Sequence, residues 1–144
     1  MAYRLDVNAL VALFDEAHIH HLAAHDWFER MNDDWTTCPI TENGLLRILS
    51  HLAYPNSPLP MVNLAERLEE FKSSSKKHQF WSDDYSLSEW LYKQRHAISS
   101  GQSTDAYLLN LCKKRSGTLA TFDRRIKPSL IGETFSHILE YITA

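Results

Sequence analysis

The chain has 144 residues, 44% hydrophobic and 23% charged, with 15 Lys+Arg against 18 Asp+Glu for a net charge of −3. These numbers describe one ordinary globular domain over residues 1–144, long enough for a central sheet covered by helices, and they exclude a polybasic binder held to nucleic acid by charge alone. No apolar run approaches the ~18 residues of a membrane span, and Met1-Ala2-Tyr3-Arg4-Leu5-Asp6 has no basic region leading into an apolar core, so no membrane association and a cytoplasmic location are expected.

In chain order, Tyr3 to Val7 reads as a first strand, and Leu10, Val11, Leu13 and Phe14 predict a short helix directly after it, with Asn8 as its cap. His18 to Met31 is expected to be helical, with Leu22, Ala23, Trp27, Phe28 and Met31 on one face. Trp35 to Ile40 is short, β-prone and ended by Pro39-Ile40. Thr41 then caps a helix in which Leu45, Leu46, Ile48, Leu49 and Leu52 recur at helical spacing; Glu42 falls in its first turn, and Pro55-Asn56-Ser57-Pro58 stops it. Val62 to Ser74 is a further amphipathic helix, His78 to Trp81 a short buried strand, and Ser86 or Ser88 the start of another short helix. Ser103 or Thr104 caps a helix through Arg115, with Lys113-Lys114-Arg115 at its negative dipole end and Gly117 at its stop. Thr118 to Thr121 follows as a buried strand that delivers Asp123 at or just past its end, and Ile138 to Ile142 offers a last strand. Strands alternating with helices imply an α/β domain with a mostly parallel sheet.

Within that order, Asp6, Glu42, Asp105 and Asp123 each lie where an apolar run ends or a helix begins. In an α/β fold such positions converge on one crevice at the C-terminal edge of the sheet, where several carboxylates repel one another unless a divalent cation neutralises them. All-oxygen sites suit Mg²⁺ or Mn²⁺, and the chemistry that follows is metal-dependent phosphoryl transfer. With these four acids set aside, 15 basic residues face 14 acids, so the remaining surface is no obstacle to an RNA substrate. Each residue also has a plainer role. A first-turn acid favours the helix dipole by about 0.3–1 kcal/mol, which would account for Glu42 or Asp105 taken singly. Asp6 and Asp123 are harder to dismiss, because each ends a buried apolar strand where an unpaired carboxylate is costly.

The segments LDVN, TENGLLRIL, STDAYLLNL and ATFDRR, in this order and spacing, resemble the PIN-domain ribonucleases, specifically the VapC-type toxins of bacterial toxin–antitoxin pairs. The resemblance covers nearly the whole chain. It implies a PIN-like three-layer α/β/α sandwich with an acidic quartet, Asp6, Glu42, Asp105 and Asp123, that binds Mg²⁺ or Mn²⁺ and cleaves RNA. Asp6, Asp105 and Asp123 would hold the metal, Glu42 would serve a second ion or its water, and Asn8, Thr41, Thr104 and Thr121 would support the acids. A cognate antitoxin and a homodimer are implied as partners. Arg47, Arg124 and Arg125 are candidate contacts for the RNA backbone, although a charge run is more often a solvated face.

The competing readings are a non-catalytic PIN module that binds RNA or protein, and a metal-dependent phosphatase opening with Asp6-Val7-Asn8, whose Asp-x-Asp pattern Asn8 breaks. His21 and His25 share the i, i+4 spacing of zinc proteases, but the catalytic Glu is absent, Leu22 standing beside His21. Cys38 and Cys112 fit no metal or redox spacing and read as reduced, buried apolar residues. Trp27, Trp35, Trp81 and Trp90 read as core or interface anchors.

Overall fold

The computed structural model describes residues 2–56, 58–134 and 136–143, with only the backbone of Ser136; of the expected stop at 55–58, Ser57 lies outside the described residues. Five strands form one all-parallel sheet: β1 (Ala2–Leu5), β2 (Asp34–Thr37), β3 (His78–Phe80), β4 (Thr118–Thr121) and β5 (Leu139–Tyr141), in the order β3-β2-β1-β4-β5. The order reverses between β1 and β4, and in sheets of this kind ligands bind beyond the carboxyl ends of the strands at that reversal. Among the described residues six helices cover the two faces: α1 (Val7–Phe14), α2 (His21–Arg30), α3 (Pro39–Ser50), α4 (Met61–Ser73), α5 (Leu87–Gln94) and α6 (Ser103–Lys114). One core, with Leu5, Leu10, Trp35, Leu45, Leu64 and Leu68, lies under α1 to α4; the other, with Trp81, Leu108, Leu109, Leu111, Leu119 and Ile131, lies under α5 and α6. Two cores on opposite faces make the three-layer α/β/α sandwich.

Several element boundaries differ from the sequence expectation, each for a local reason. α1 is capped by Asp6, whose Oδ1 accepts the Val7 N–H at 2.7 Å, so the strand ends at Leu5 and Asn8 lies inside the helix. α3 begins at Pro39 with Cys38 as its cap residue, because proline fits the first helical position, where no N–H is needed. Leu52, beyond the helix end at Ser50, is 92% exposed rather than part of the apolar face. β3 is an edge strand with an exposed Phe80; only Trp81 after it is buried. α6 is entered through a 3-10 turn, Ser100–Gln102, and starts at Ser103 without a side-chain cap. The left-handed residue that ends it is Ser116, with φ 57°, and not Gly117. Gly117 is small because a Cβ there would stand 2.5 Å from the Trp81 ring and 2.9 Å from the Ala2 carbonyl.

Gly44 has the same packing role where it bears on the site: a Cβ would meet the Val7 side chain at 2.8 Å. Its absence lets α3 close on the first turn of α1. Both cysteines are free and buried, and burial pushes the Cys112 thiol up to about 12. Among the described residues, no helix is long and apolar enough to cross a membrane.

Candidate active site

The parallel register sets the first acid. Leu5 lies beside Ala120, the Asp6 N–H donates to the Ala120 carbonyl at 2.9 Å, and Asp6 therefore emerges beside Thr121, the last residue of β4. The Thr121 hydroxyl donates to Asp6 Oδ2 at 2.7 Å, accepts from Asn8 Nδ2 at 3.0 Å and accepts the Asp123 N–H at 3.0 Å. Asn8 also reaches Asp6 Oδ2 at 3.4 Å and accepts the Phe122 N–H on its Oδ1 at 3.1 Å. One hydroxyl and one amide thus join the ends of β1 and β4. Burial raises the Asp6 pKa; the bonds from Thr121 and Val7 oppose the rise, and nearby Asp123 adds to it.

Asp105 reaches the same place from the first turn of α6. Its pKa is raised to about 6, first by desolvation and then by the charges of Asp6 and Asp123. Among the described residues nothing hydrogen-bonds or ion-pairs with its carboxylate. Asp123 goes the other way. Arg125 bonds it with Nε at 3.0 Å and a terminal nitrogen at 3.1 Å, and those bonds hold its pKa below the usual range. Beside these acids a groove of about 500 Å³ is lined by Asp105, Asp123, Arg125, Lys127, His96 and Gln102, among others.

Glu42 is engaged by partners of its own. Its Oε2 accepts from the Thr37 hydroxyl at 2.6 Å and from Lys72 Nζ at 3.1 Å. The same hydroxyl lies 2.8 Å from His78 Nε2; since its proton goes to Glu42, the imidazole N–H is the donor there. Lys72 also pairs with Glu69, and although burial works against its charge, the bonds to Glu69 and Glu42 keep its pKa above the usual value. Burial and the Lys72 charge lower the His78 pKa. Thr37, Lys72 and His78 were not among the residues singled out from the sequence. They come from β2, α4 and β3: the β2–β3 pairing sets His78 beside Thr37, and the packing of α4 on α3 adds Lys72.

The remaining candidates are dispersed. Thr41 bonds both the N–H and the carbonyl of Cys38 and so closes the start of α3 instead of touching an acid. Thr104 is exposed and, among the described residues, bonds no carboxylate. Arg124 lies over the Tyr141 ring at 5.6 Å, and Arg47 is exposed on α3. Of the basic run at the end of α6, Arg115 and Lys114 pair with Asp84, and Lys113 with Glu133. His21 Nδ1 sits 2.8 Å from the Ala12 carbonyl while His25 faces Glu29.

Among the described residues no three His, Cys, Asp or Glu side chains form a ready-made metal cage. The donor set nevertheless fits a hard divalent cation. Asp6, Asp105 and Asp123 offer only oxygens, their charges act on one another, and among the described residues no hydrogen bond reaches the Asp105 carboxylate, which Arg125 influences only through space. Mg²⁺ takes one or two carboxylates, keeps several waters and does not need an all-protein cage.

A family profile described as PIN domain matches residues 3–128. The chain is 35% identical over 137 residues to a Mycobacterium tuberculosis protein called Ribonuclease VapC44, covering 93% of this chain and 95% of that one. It is 36% identical over 132 residues to Ribonuclease VapC39 of the same organism, covering 90% and 94%, and 32% identical over 123 residues to Ribonuclease VapC29, covering 85% and 86%.

Proposed function

The chain belongs to the PIN-domain family, with VapC ribonucleases among its relatives, and from that premise we propose that it is a divalent-metal-dependent endoribonuclease, one PIN domain over residues 1–144. The observation behind this reading is that the charges of Asp6, Asp105 and Asp123 act on one another near the strand-order reversal, with no hydrogen bond to the Asp105 carboxylate among the described residues. A module that only bound RNA or protein would have no use for three carboxylates left short of cations.

Asp6, Asp105 and Asp123 would hold Mg²⁺ or Mn²⁺, which supplies charge for the reacting phosphate oxygens and makes water a nucleophile at neutral pH. The chain's own groups prepare for this. Thr121 and Asn8 fix the Asp6 carboxylate so that one oxygen faces β4 and the other stays on the Val7 N–H. Asp105 must lose its proton before it can serve, which a pKa of about 6 allows at neutral pH. Arg125, released from Asp123, presents a planar fork suited to a phosphate, and Lys127 on the same groove wall adds a second cation for the RNA backbone. Glu42 enters this reading only if it leaves Lys72. Attack by water leaves a 5′-phosphate and a 3′-hydroxyl. We further propose that the protein acts in the cytoplasm as a toxin, is restrained by a cognate antitoxin and forms a homodimer.

The test is RNA cleavage with Mg²⁺ or Mn²⁺, repeated with chelator and with Asp6→Ala and Asp105→Ala. Loss of cutting in all three arms, with melting temperatures preserved, is expected. Full-rate cutting after chelation, or by either variant in a clean preparation, overturns the reading and leaves the binding module.

A further inference from the structure

Phe122 sits between Thr121 and Asp123, and its backbone N–H is held by Asn8, so the network that orients Asp6 also fixes this residue. Its half-buried ring lies face to face with the imidazole of His20, centroids 4.8 Å apart and planes 13° from parallel. His20 comes from the turn between α1 and α2 and is exposed; His18 stands 5.7 Å from it, ring to ring. Two parallel conjugated rings therefore face water one residue from an acid of the candidate site.

A purely structural duty explains this stack poorly. The turn that carries His20 is already pinned three times: Asp15 Oδ1 accepts the Ala17 N–H at 3.0 Å, His18 Nδ1 accepts the His20 N–H at 3.0 Å, and His21 Nδ1 lies 2.8 Å from the Ala12 carbonyl. An exposed ring gains little from burial. Proteins that hold single-stranded nucleic acid combine cations along the backbone with aromatic faces on which bases stack, and histidine is among the residues that serve. The cations are in the groove with Arg125 and Lys127, whose lining includes neither His20 nor Phe122. The aromatic face is the His20–Phe122 pair.

We propose that His20, backed by Phe122, is a stacking platform for an unpaired nucleobase beside the cleaved phosphate. The inference rests on the RNA-cleaving reading and adds a contact by which the enzyme would choose single-stranded over paired substrate, because a duplex hides the faces of its bases.

The experiment is fluorescence anisotropy on the Asp105→Asn chain in Mg²⁺, with two probes: a short single-stranded oligoadenylate and the same ribose-phosphate chain without bases. His20→Ala is expected to weaken oligoadenylate binding roughly 5- to 150-fold, the range set by stacking of one base on an aromatic ring, and to leave the base-free probe unchanged. His20→Tyr should restore the affinity, and Phe122→Leu, which trims a ring packed on the core, should lower it in a chain still folded at the assay temperature. An equal loss on both probes would mean a charge contact, and no loss on either would mean a structural turn; each overturns the platform. Cleavage by the unsubstituted chain is scored separately. A chain that cuts RNA while ignoring His20→Ala ends only this inference; one that binds bases through His20 but never cuts under any metal condition ends the nuclease reading.

Discussion

Two acidic corners share one edge of the sheet and differ in how fully the protein answers their charge. At the β2 corner, Glu42 accepts a hydroxyl from Thr37 and an ammonium from Lys72, a pair only about one-sixth exposed on either side. At the β1–β4 corner, the hydrogen bonds to Asp6 come from neutral donors, Asp105 receives none among the described residues, Arg4 and Arg125 act on these two only through space, and the highly exposed Arg125 pairs directly with Asp123. The two threonines are otherwise alike: each ends a parallel strand and gives its proton to a carboxylate, Thr37 to Glu42 in the helix that follows and Thr121 to Asp6 at the cap of α1. What separates the two corners is therefore how closely cations pair with their acids. Carboxylates are present at both corners, and only one corner leaves them short.

The comparison breaks most visibly at the hydroxyls. Thr121→Val keeps the volume and removes the one atom that joins Asp6, Asn8 and the Asp123 N–H. Groups that orient metal ligands are typically worth 10–100-fold in metal affinity or activity, and a fall of that size in the Mg²⁺ dependence of RNA cleavage is expected. Thr37→Val, the matching change at the other corner, should move the metal dependence by less than about threefold on the same scale. Equal effects would mean that the corners are not different in kind.

Much of this contrast lay beyond sequence reading, for identifiable reasons. The strands and helices were legible because apolar residues repeat with periods near two and near 3.6, and the parallel order followed from their alternation. Placement at strand ends and helix starts marked Asp6, Glu42, Asp105 and Asp123. Caps were less legible: the acid at Asp6 took the role expected of Asn8, and Pro39 moved the start of α3 ahead of Thr41. The partners of Glu42 left no local trace, since Lys72 is 30 positions away and His78 belongs to a different strand. Nor did the groove, whose walls are a 3-10 turn and the aperiodic stretch from Asp123 to Leu130.

If Lys72 is what makes Glu42 structural, then removing the amine while keeping the aliphatic stem should be felt as instability. Lys72→Met leaves a mostly buried carboxylate with a hydroxyl but no cation, and the expected loss is about 1–3 kcal/mol, read as a lower urea midpoint at unchanged slope. Adding Glu42→Gln to that variant should recover part of the loss, because the charge that needed compensation is gone. A Lys72→Met chain as stable as the parent would show that Glu42 has no need of the amine and is free to join the aspartates.

The same operation at the other corner should have the opposite sign. Asp105 titrates at about 6 in the folded chain and near 3.9 when unfolded. A raised carboxylate pKa means that the folded state binds the proton more tightly. The resulting support is complete below about pH 4 and lost as the pH rises through about 6, above which the bare charge disfavours the fold. Asp105→Asn removes that titration. The variant should melt with the parent near pH 4 and above it at pH 7.5, by about 1 kcal/mol once solvent screening of a half-exposed group is allowed for, or about 2–4 °C. Millimolar Mg²⁺ should narrow the gap at pH 7.5 by stabilising the parent alone, since a ligand that binds only the folded form raises its stability by mass action. A gap that stayed constant across pH would place the cause in packing at the start of α6. A gap that ignored Mg²⁺ would show that the acids at this corner, although short of cations, do not recruit one.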